Sequence, residues 1–313
     1  MRILITGSTG FIGSHLLLPL VEQNHDVFSL DRYMTGACVS GVEQRVKPVL
    51  CDLRDHSAIQ QVIKEIQPEA VVHLASISPV AYSYNHPGEV IESNLIGTVN
   101  LAEACLREVP HFRQFLFAST SETYGNGPLP KTEETPQNPN SPYSVSKLAA
   151  EKYLLYMRDA YGFPVIVLRP FNTYGRKDNA HFIVERTVTQ MLRSDTVKLG
   201  DPTPIRDLLY IDDHVNGYLS CLGNDKANGE VFNFCTGRGI SVRELVDLLR
   251  EITGFQGEVI WNSVPKRPLD IQMLIGDYSK AARILKWQPK VELENGLRLT
   301  VDYWRQKVND SIK

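Results

Sequence analysis

Tyr143 and Lys147 stand four residues apart in Ser141-Pro-Tyr-Ser-Val-Ser-Lys147. Four residues is about one helical turn, so a helix opening at Ser141 carries a phenol and an ammonium on one face. Ser141 suits the N-cap and Pro142 the first helical position, which puts Tyr143 in the first turn. A lysine beside it would favour the phenolate over the phenol, whose free pKa is about 10, and a tyrosine tuned in this way can act as a general base near neutral pH. Tyr-x-x-x-Lys alone also fits an ordinary amphipathic helix start, but a second feature accompanies it. Arg2-Ile-Leu-Ile-Thr6 reads as a buried parallel strand, followed at once by Gly7-Ser-Thr-Gly10-Phe-Ile-Gly13 and an apolar helix through about Val21. Strand, glycine turn and helix make a dinucleotide-binding opening, here spaced GxxGxxG rather than GxGxxG. Gly7 permits the tight turn. Gly10 lets a pyrophosphate approach the backbone amides around Phe11 and Ile12, and Gly13 lets the helix pack closely on the strand.

Asp26-Val-Phe-Ser-Leu-Asp31 reads as the second strand and ends in an acid about 18 residues beyond Gly13, near where a ribose-binding carboxylate is expected. Asp31 can accept hydrogen bonds from the ribose 2′- and 3′-hydroxyls and would repel a 2′-phosphate, which favours NAD over NADP. Arg32 is the counterweight, since a neighbouring arginine can hold a 2′-phosphate. Farther on, apolar runs near 47–50, 69–75, 113–119 and 164–169 alternate with helical patterns near 55–67, 88–107 and 142–162. That alternation predicts an α/β fold, a doubly wound parallel sheet whose ligands bind at the carboxyl ends of the strands. After Arg169-Pro170 the elements shorten, as for a smaller α/β lobe closing over that edge. The expected division is residues 1–170 for cofactor and 171–313 mainly for substrate, with a segment at about 206–235 returning to the first domain.

The 313 residues carry a formal charge of −3 and are 42% hydrophobic, which allows a large core and gives no basic footprint for nucleic acid. There is no 18-residue apolar run and the chain starts directly with a core strand, so no membrane span or signal peptide is expected, and a cytoplasmic location is. Five cysteines, Cys38, Cys51, Cys105, Cys221 and Cys235, lack metal-ligand spacing and suit reduced, packed thiols. The eight histidines form no HxxxH or HExxH pair, so no metal site is expected.

Together these residues resemble the extended short-chain dehydrogenase/reductase family of NAD-dependent nucleotide-sugar epimerases and dehydratases, over essentially the whole chain. Cys51-Asp52-Leu53 looks like the family's adenine-binding acid, His73-Leu74-Ala75-Ser76 its fourth-strand motif, and Asn94 its structural asparagine on the cofactor side. Ser119-Thr-Ser-Glu-Thr-Tyr-Gly125 resembles its fifth-strand end. Arg169-Pro-Phe-Asn172-Thr-Tyr-Gly175 resembles the turn into its sugar-nucleotide site, and Arg206-Asp-Leu-Leu-Tyr-Ile-Asp212-Asp213 a later landmark. The resemblance implies a Rossmann cofactor domain and a homodimer built on the helices at 88–107 and 142–162. It also implies a nucleotide-diphosphate sugar substrate held by Asn172, Arg206 and Arg267. Arg176 and Lys177 are further basic candidates, and Tyr82 and Tyr84 candidates for the wall of the hexose pocket.

The implied reaction turns on Thr120-Ser121-Glu122, which follow the apolar strand Phe115-Leu-Phe-Ala-Ser119. Thr120 would hydrogen-bond the sugar C4 hydroxyl. Thr-x-Glu resembles the nucleotide-sugar 4,6-dehydratases, whereas 4-epimerases commonly carry a small or aliphatic residue in place of the glutamate. In the dehydratase reading Tyr143 takes the C4 hydroxyl proton, the C4 hydride is held on NAD, Glu122 takes the C5 proton, water leaves C6 and the hydride returns there. The dTDP-glucose 4,6-dehydratases have an aspartate where this chain has Ser121. Thr-Ser-Glu is closer to the GDP-mannose type and to some UDP-N-acetylglucosamine 4,6-dehydratases, which would leave both proton transfers to Glu122. A 4-epimerase using the same Tyr143 and NAD is the alternative, with Glu122 the discriminating residue. A non-catalytic dinucleotide sensor would have no need of a tuned phenol.

Overall fold

A computed structural model describes residues 1–33, 42, 44–175 and 182–310; Cys38, Arg176 and Lys177 lie outside the described residues. Along the chain come β1 (Arg2–Thr6), β2 (Asp26–Asp31), β3 (Val46–Leu50), β4 (Ala70–His73), β5 (Gln114–Ala118) and β6 (Val165–Pro170). Then follow β7 (Asn172–Tyr174), β8 (Thr196–Lys198), β9 (Ile205–Tyr210), β10 (Val231–Phe234), β11 (Gly239–Ser241), β12 (Glu258–Ile260) and β13 (Met273–Leu274). The first six join β10 in a seven-stranded sheet of order β10-β6-β5-β4-β1-β2-β3, and every neighbouring pair is parallel.

Side chains alternate across a strand, so a sheet covered on both faces needs apolar residues at successive positions. Ile3 and Ile5, Leu116, Ile166 and Leu168 enter one core with the helices Phe11–Glu22 and Ile211–Cys221. Leu4, Phe115 and Phe117, Val165 and Val167 enter the other, under the helices His56–Ile66, Gly97–Glu108 and Pro142–Tyr161. The expected doubly wound parallel sheet is present. Around β9 a smaller sheet gathers β7 and β13 in parallel and β11 antiparallel, while β8 pairs with β12. A third core, including Val188, Leu208, Leu249 and Trp304, lies under the helices Ile183–Arg193, Val242–Thr253 and Leu293–Asp310. No helix among the described residues is long and apolar enough to cross a membrane.

One predicted helix differs in form. The 88–107 pattern is helix Pro87–Ile91, a π-helical turn Glu92–Ile96 and helix Gly97–Glu108. The wide turn carries Asn94, whose side chain accepts from Ile77 N at 2.8 Å and donates to Ile77 O and Ser146 Oγ, both at 3.1 Å. Single π-helical turns inside α-helices occur frequently at functional sites.

Beneath the carboxyl ends of β5 and β6 lies a buried ion pair, Arg169 Nη2 to Glu151 Oε1 at 2.5 Å. Ser119 Oγ donates to Glu151 Oε2 at 2.7 Å, and Arg169 Nη1 reaches Tyr124 Oη at 2.7 Å. Both charges are almost fully buried, so removing one leaves the other desolvated and unpaired. Glu151→Ala should lower the unfolding free energy by roughly 3–5 kcal/mol in urea titration; a loss below about 1 kcal/mol, the range of exposed pairs, would mean that the pair does not anchor the strand ends.

Candidate active site

The carboxyl ends of β1, β2, β4, β5 and β6 open onto one cavity of about 1220 Å³. At one end sits the glycine turn. Gly7 has φ +72°, and a Cβ there would stand 2.7 Å from Ala75 N; a Cβ on Gly13 would meet Gly7 O and lie 2.6 Å from Ser8 Cα. Gly10 is the N-cap of helix Phe11–Glu22 and offers no side-chain cap to its first amides. The turn is therefore bare backbone at a helix N-terminus, the environment that suits a pyrophosphate.

Asp31 lines the cavity beyond that turn. Its Oδ2 accepts from Ser8 Oγ and, at 3.3 Å, from Thr9 N, and its Oδ1 accepts from Thr9 Oγ1 at 3.1 Å. Burial pushes its carboxyl pKa up, against those hydrogen bonds. Asp52 receives Arg54 Nη2 at 2.7 Å, which holds its carboxyl below the ordinary range, and Arg32 Nη1 lies 4.0 Å from it. Arg32 also stacks over the Tyr33 ring at 4.7 Å. Leu53, Leu74, Ala75 and Ser76 complete this wall together with Phe11 and Ile12.

At the β5 end, Ser141 and Ser144 form a capping box and Pro142 occupies the first turn of helix Pro142–Tyr161, as the sequence predicts. Tyr143 and Lys147 both line the cavity, and both are buried. Lys147 Nζ donates to Ala118 O at 2.7 Å and lies 4.9 Å over the Phe117 ring. Burial lowers its pKa to about 7. On the adjacent strand His73 is buried, with Nδ1 2.7 Å from Thr6 Oγ1 and Nε2 2.8 Å from Thr98 Oγ1. Thr98 Oγ1 donates to Asn94 O, which makes Nε2 the protonated nitrogen of His73. Burial, and then Lys147, lower the His73 pKa to about 3, so it stays neutral.

Thr120 caps the short 3₁₀ turn Ser121–Tyr124, its Oγ1 accepting from Glu122 N at 3.2 Å. Glu122 is half-buried in the cavity wall. Burial raises its carboxyl pKa; Arg206 and Arg267 oppose the rise and Asp270 adds to it. Asp270 joins the two arginines, 3.3 Å from Arg206 Nη2 and 3.8 Å from Arg267 Nη1. Ser121 and Asn172 complete this end.

Among the described residues, the expected catalytic and cofactor residues and Asn172, Arg206 and Arg267 line this cavity, except Asn94, which lies buried behind the wall and fixes Ile77. Tyr82 and Tyr84 are not among the lining residues. Tyr82 Oη donates to Glu89 at 2.6 Å, and Tyr84 Oη reaches the carbonyls of Asn140 and Leu269. Sequence reading missed Ser8 and Thr9, although two hydroxyls inside a glycine turn were a visible signal. It also missed Asp270 as the link between the arginines, and Tyr218, which has no sequence signal at all.

A family model described as GDP-mannose 4,6 dehydratase matches residues 4–300. The chain belongs to that family. Its relatives lie within the extended short-chain dehydrogenase/reductases that the sequence resembled. A Thermotoga maritima UDP-glucose 4-epimerase, solved with UDP-glucose, has a TM-score of 0.91 at 35% identity, covering 98% of this chain and 100% of that one. A Haemophilus influenzae dTDP-glucose 4,6-dehydratase is 31% identical over 97% of this chain and 98% of its own. A Streptomyces venezuelae dTDP-glucose 4,6-dehydratase, solved with NAD bound, is 28% identical with a TM-score of 0.89, covering 99% and 98%. This is therefore an enzyme of the NAD-dependent nucleotide-sugar epimerase/dehydratase family, and its relatives include both 4-epimerases and 4,6-dehydratases.

Within that family site, the raised Glu122 pKa has a consequence for stability. The charged carboxylate is disfavoured in the folded state, so the penalty is absent below the ordinary carboxyl range and grows as pH rises through the folded pKa. Glu122→Gln should therefore melt at a higher temperature than the native protein at pH 8 and at nearly the same temperature at pH 4. Equal melting temperatures at both pH values, by scanning calorimetry, would contradict a desolvated carboxyl at this position.

Proposed function

We propose that this enzyme is an NAD-dependent nucleotide-sugar 4,6-dehydratase. Glu122 carries the reading. It shares a wall with Thr120 and Tyr143, and burial makes it hold a proton more readily than a solvated glutamate. Oxidation at C4 needs a base for the hydroxyl proton and a donor that orients the oxygen, roles for Tyr143 and Thr120. It leaves no task for a further carboxyl, whereas dehydration does.

The bare glycine turn, Asp31 and Asp52 fit a dinucleotide: Gly7, Gly10 and Gly13 for the pyrophosphate, Asp31 for the ribose hydroxyls, Asp52 and Leu53 beside the adenine. Asp31 Oδ1, which accepts from Thr9 Oγ1, retains capacity for a further donor, and Arg32 is turned toward Asp52 and Tyr33, which favours NAD over NADP. NAD, when bound, supplies a reversible hydride acceptor for the C4 carbon. Tyr143 accepts the C4 hydroxyl proton, with Lys147 supporting the phenolate. The resulting 4-ketone acidifies the C5 hydrogen, which Glu122 removes. Glu122 then passes that proton to the C6 hydroxyl, which leaves as water, and the hydride taken from C4 would return to C6 as a proton adds at C5, so that the net change is loss of one water. A carboxyl with a raised pKa suits a group that must accept a proton and give it back. Asn172, Arg206 and Arg267 hold the diphosphate, and residues 171–313 contribute most of the sugar-nucleotide side.

We also read the helices of 87–108 and 142–161 as a homodimer interface, since they expose Ile91, Ile96, Leu106, Val145 and Tyr156. A 4-epimerase is the second reading, supported by the 35% identity to the Thermotoga maritima epimerase. In that case Tyr143 keeps its role and Glu122 is a wall residue.

Mass spectrometry of reactions with UDP-N-acetylglucosamine, UDP-glucose, dTDP-glucose or GDP-mannose separates the two. Loss of one water from a single substrate is expected, with Glu122→Gln slowing turnover by about 10²–10⁴-fold, the usual weight of a positioned acid or base. A new isomer at unchanged mass, formed equally well by Glu122→Gln, would establish the epimerase instead.

A further inference from the structure

Tyr218 is almost completely buried, yet it lines the active-site cavity, and its hydroxyl has no hydrogen-bond partner among the described residues. Buried phenols normally find a partner, and phenylalanine would fill the same space without an unsatisfied group. The hydroxyl therefore points to something the protein does not itself supply. Tyr218 belongs to the helix Ile211–Cys221 and packs in the core cluster that Phe11 and Ile12 join just after the glycine turn. One turn earlier, His214 lies 5.3 Å from the Tyr218 ring, and Thr173 Oγ1 stands 2.9 Å from His214 Nδ1, which holds that ring in place. Tyr218 is also at the Tyr143 end of the cavity, close enough for Tyr143 to act on its ionisation. Burial pushes the Tyr218 phenol up, so it stays protonated and can both donate and accept.

If the adenosine lies by Asp31 and Asp52, the group that reaches this end is the nicotinamide. Its carboxamide offers a carbonyl acceptor and an amino donor that match a neutral phenol. We propose that Tyr218 binds the nicotinamide carboxamide, so that the site recognises the amide as well as the dinucleotide backbone. This inference rests on the NAD reading above. It assigns Tyr218 to cofactor binding and orientation, not to proton transfer.

Isothermal titration calorimetry of the full chain and of Tyr218→Phe tests it with three ligands: NAD, ADP-ribose, which lacks the nicotinamide, and 3-acetylpyridine adenine dinucleotide, in which a methyl replaces the amide nitrogen. One lost hydrogen bond predicts that Tyr218→Phe binds NAD about five- to tenfold more weakly. ADP-ribose binding should be unchanged, and the variant should discriminate less between NAD and the acetyl analogue than the native protein does. Equal NAD affinity in native and variant would overturn the inference while leaving the NAD reading intact. Parallel loss of ADP-ribose affinity would also overturn it, by making Tyr218 a support of the whole site. Failure of the native chain to bind NAD while ADP-ribose binds would overturn the inference and the NAD reading together.

Discussion

A single face of helix Pro142–Tyr161 ties the chemistry to the sheet. Tyr143, Lys147 and Glu151 are spaced four apart and so lie one above another. Lys147 bonds the Ala118 carbonyl and Glu151 the Ser119 hydroxyl, so two successive residues at the end of β5 are held by two successive turns of one helix. Thr120 and Glu122 follow directly. The side chain that faces the cavity from the helix and those that face it from the strand are thereby fixed to each other through buried, charge-assisted contacts. Such contacts strengthen in a low dielectric and are costly to break one partner at a time.

That arrangement has an electrostatic consequence. Removing Lys147 from water lowers its affinity for a proton, and removing Glu122 from water raises the proton affinity of its carboxyl. Both groups are thus moved toward neutral pH from opposite sides, the condition under which acid and base can exchange roles during a reaction. His73, neutral between Thr6 and Thr98, contributes no competing charge, and through Thr98 it connects β4 to the π-helical turn that positions Asn94. The parallel sheet supplies the common edge at which these residues meet.

Much of this was legible in the sequence because it is local. The glycine turn, the apolar strands and the Ser141-Pro142 helix start are each encoded within a few residues, and their alternation gives the sheet. What stayed hidden depends on partners far along the chain. The 88–107 pattern reads as one helix, whereas a π turn interrupts it where Asn94 contacts Ile77 and Ser146. Arg169 looked like a landmark of the substrate turn, yet its guanidinium is spent on Glu151 beneath the strand ends. Asp270 gains its meaning from Arg206, 64 positions away, and Tyr218 from a cavity that no local pattern announces.

The central claim is that Glu122 acts on C5 and C6 of the sugar. The most direct test supplies the nucleotide sugar that the enzyme turns over with deuterium at C4 and at C5, in ordinary water, and locates the labels by NMR. A dehydratase working through Tyr143 and Glu122 predicts the C4 deuterium at C6 of a 4-keto-6-deoxy product and protium from solvent in place of deuterium at C5. Deuterium returned to C4 of an isomer, with the C5 deuterium retained, would contradict it.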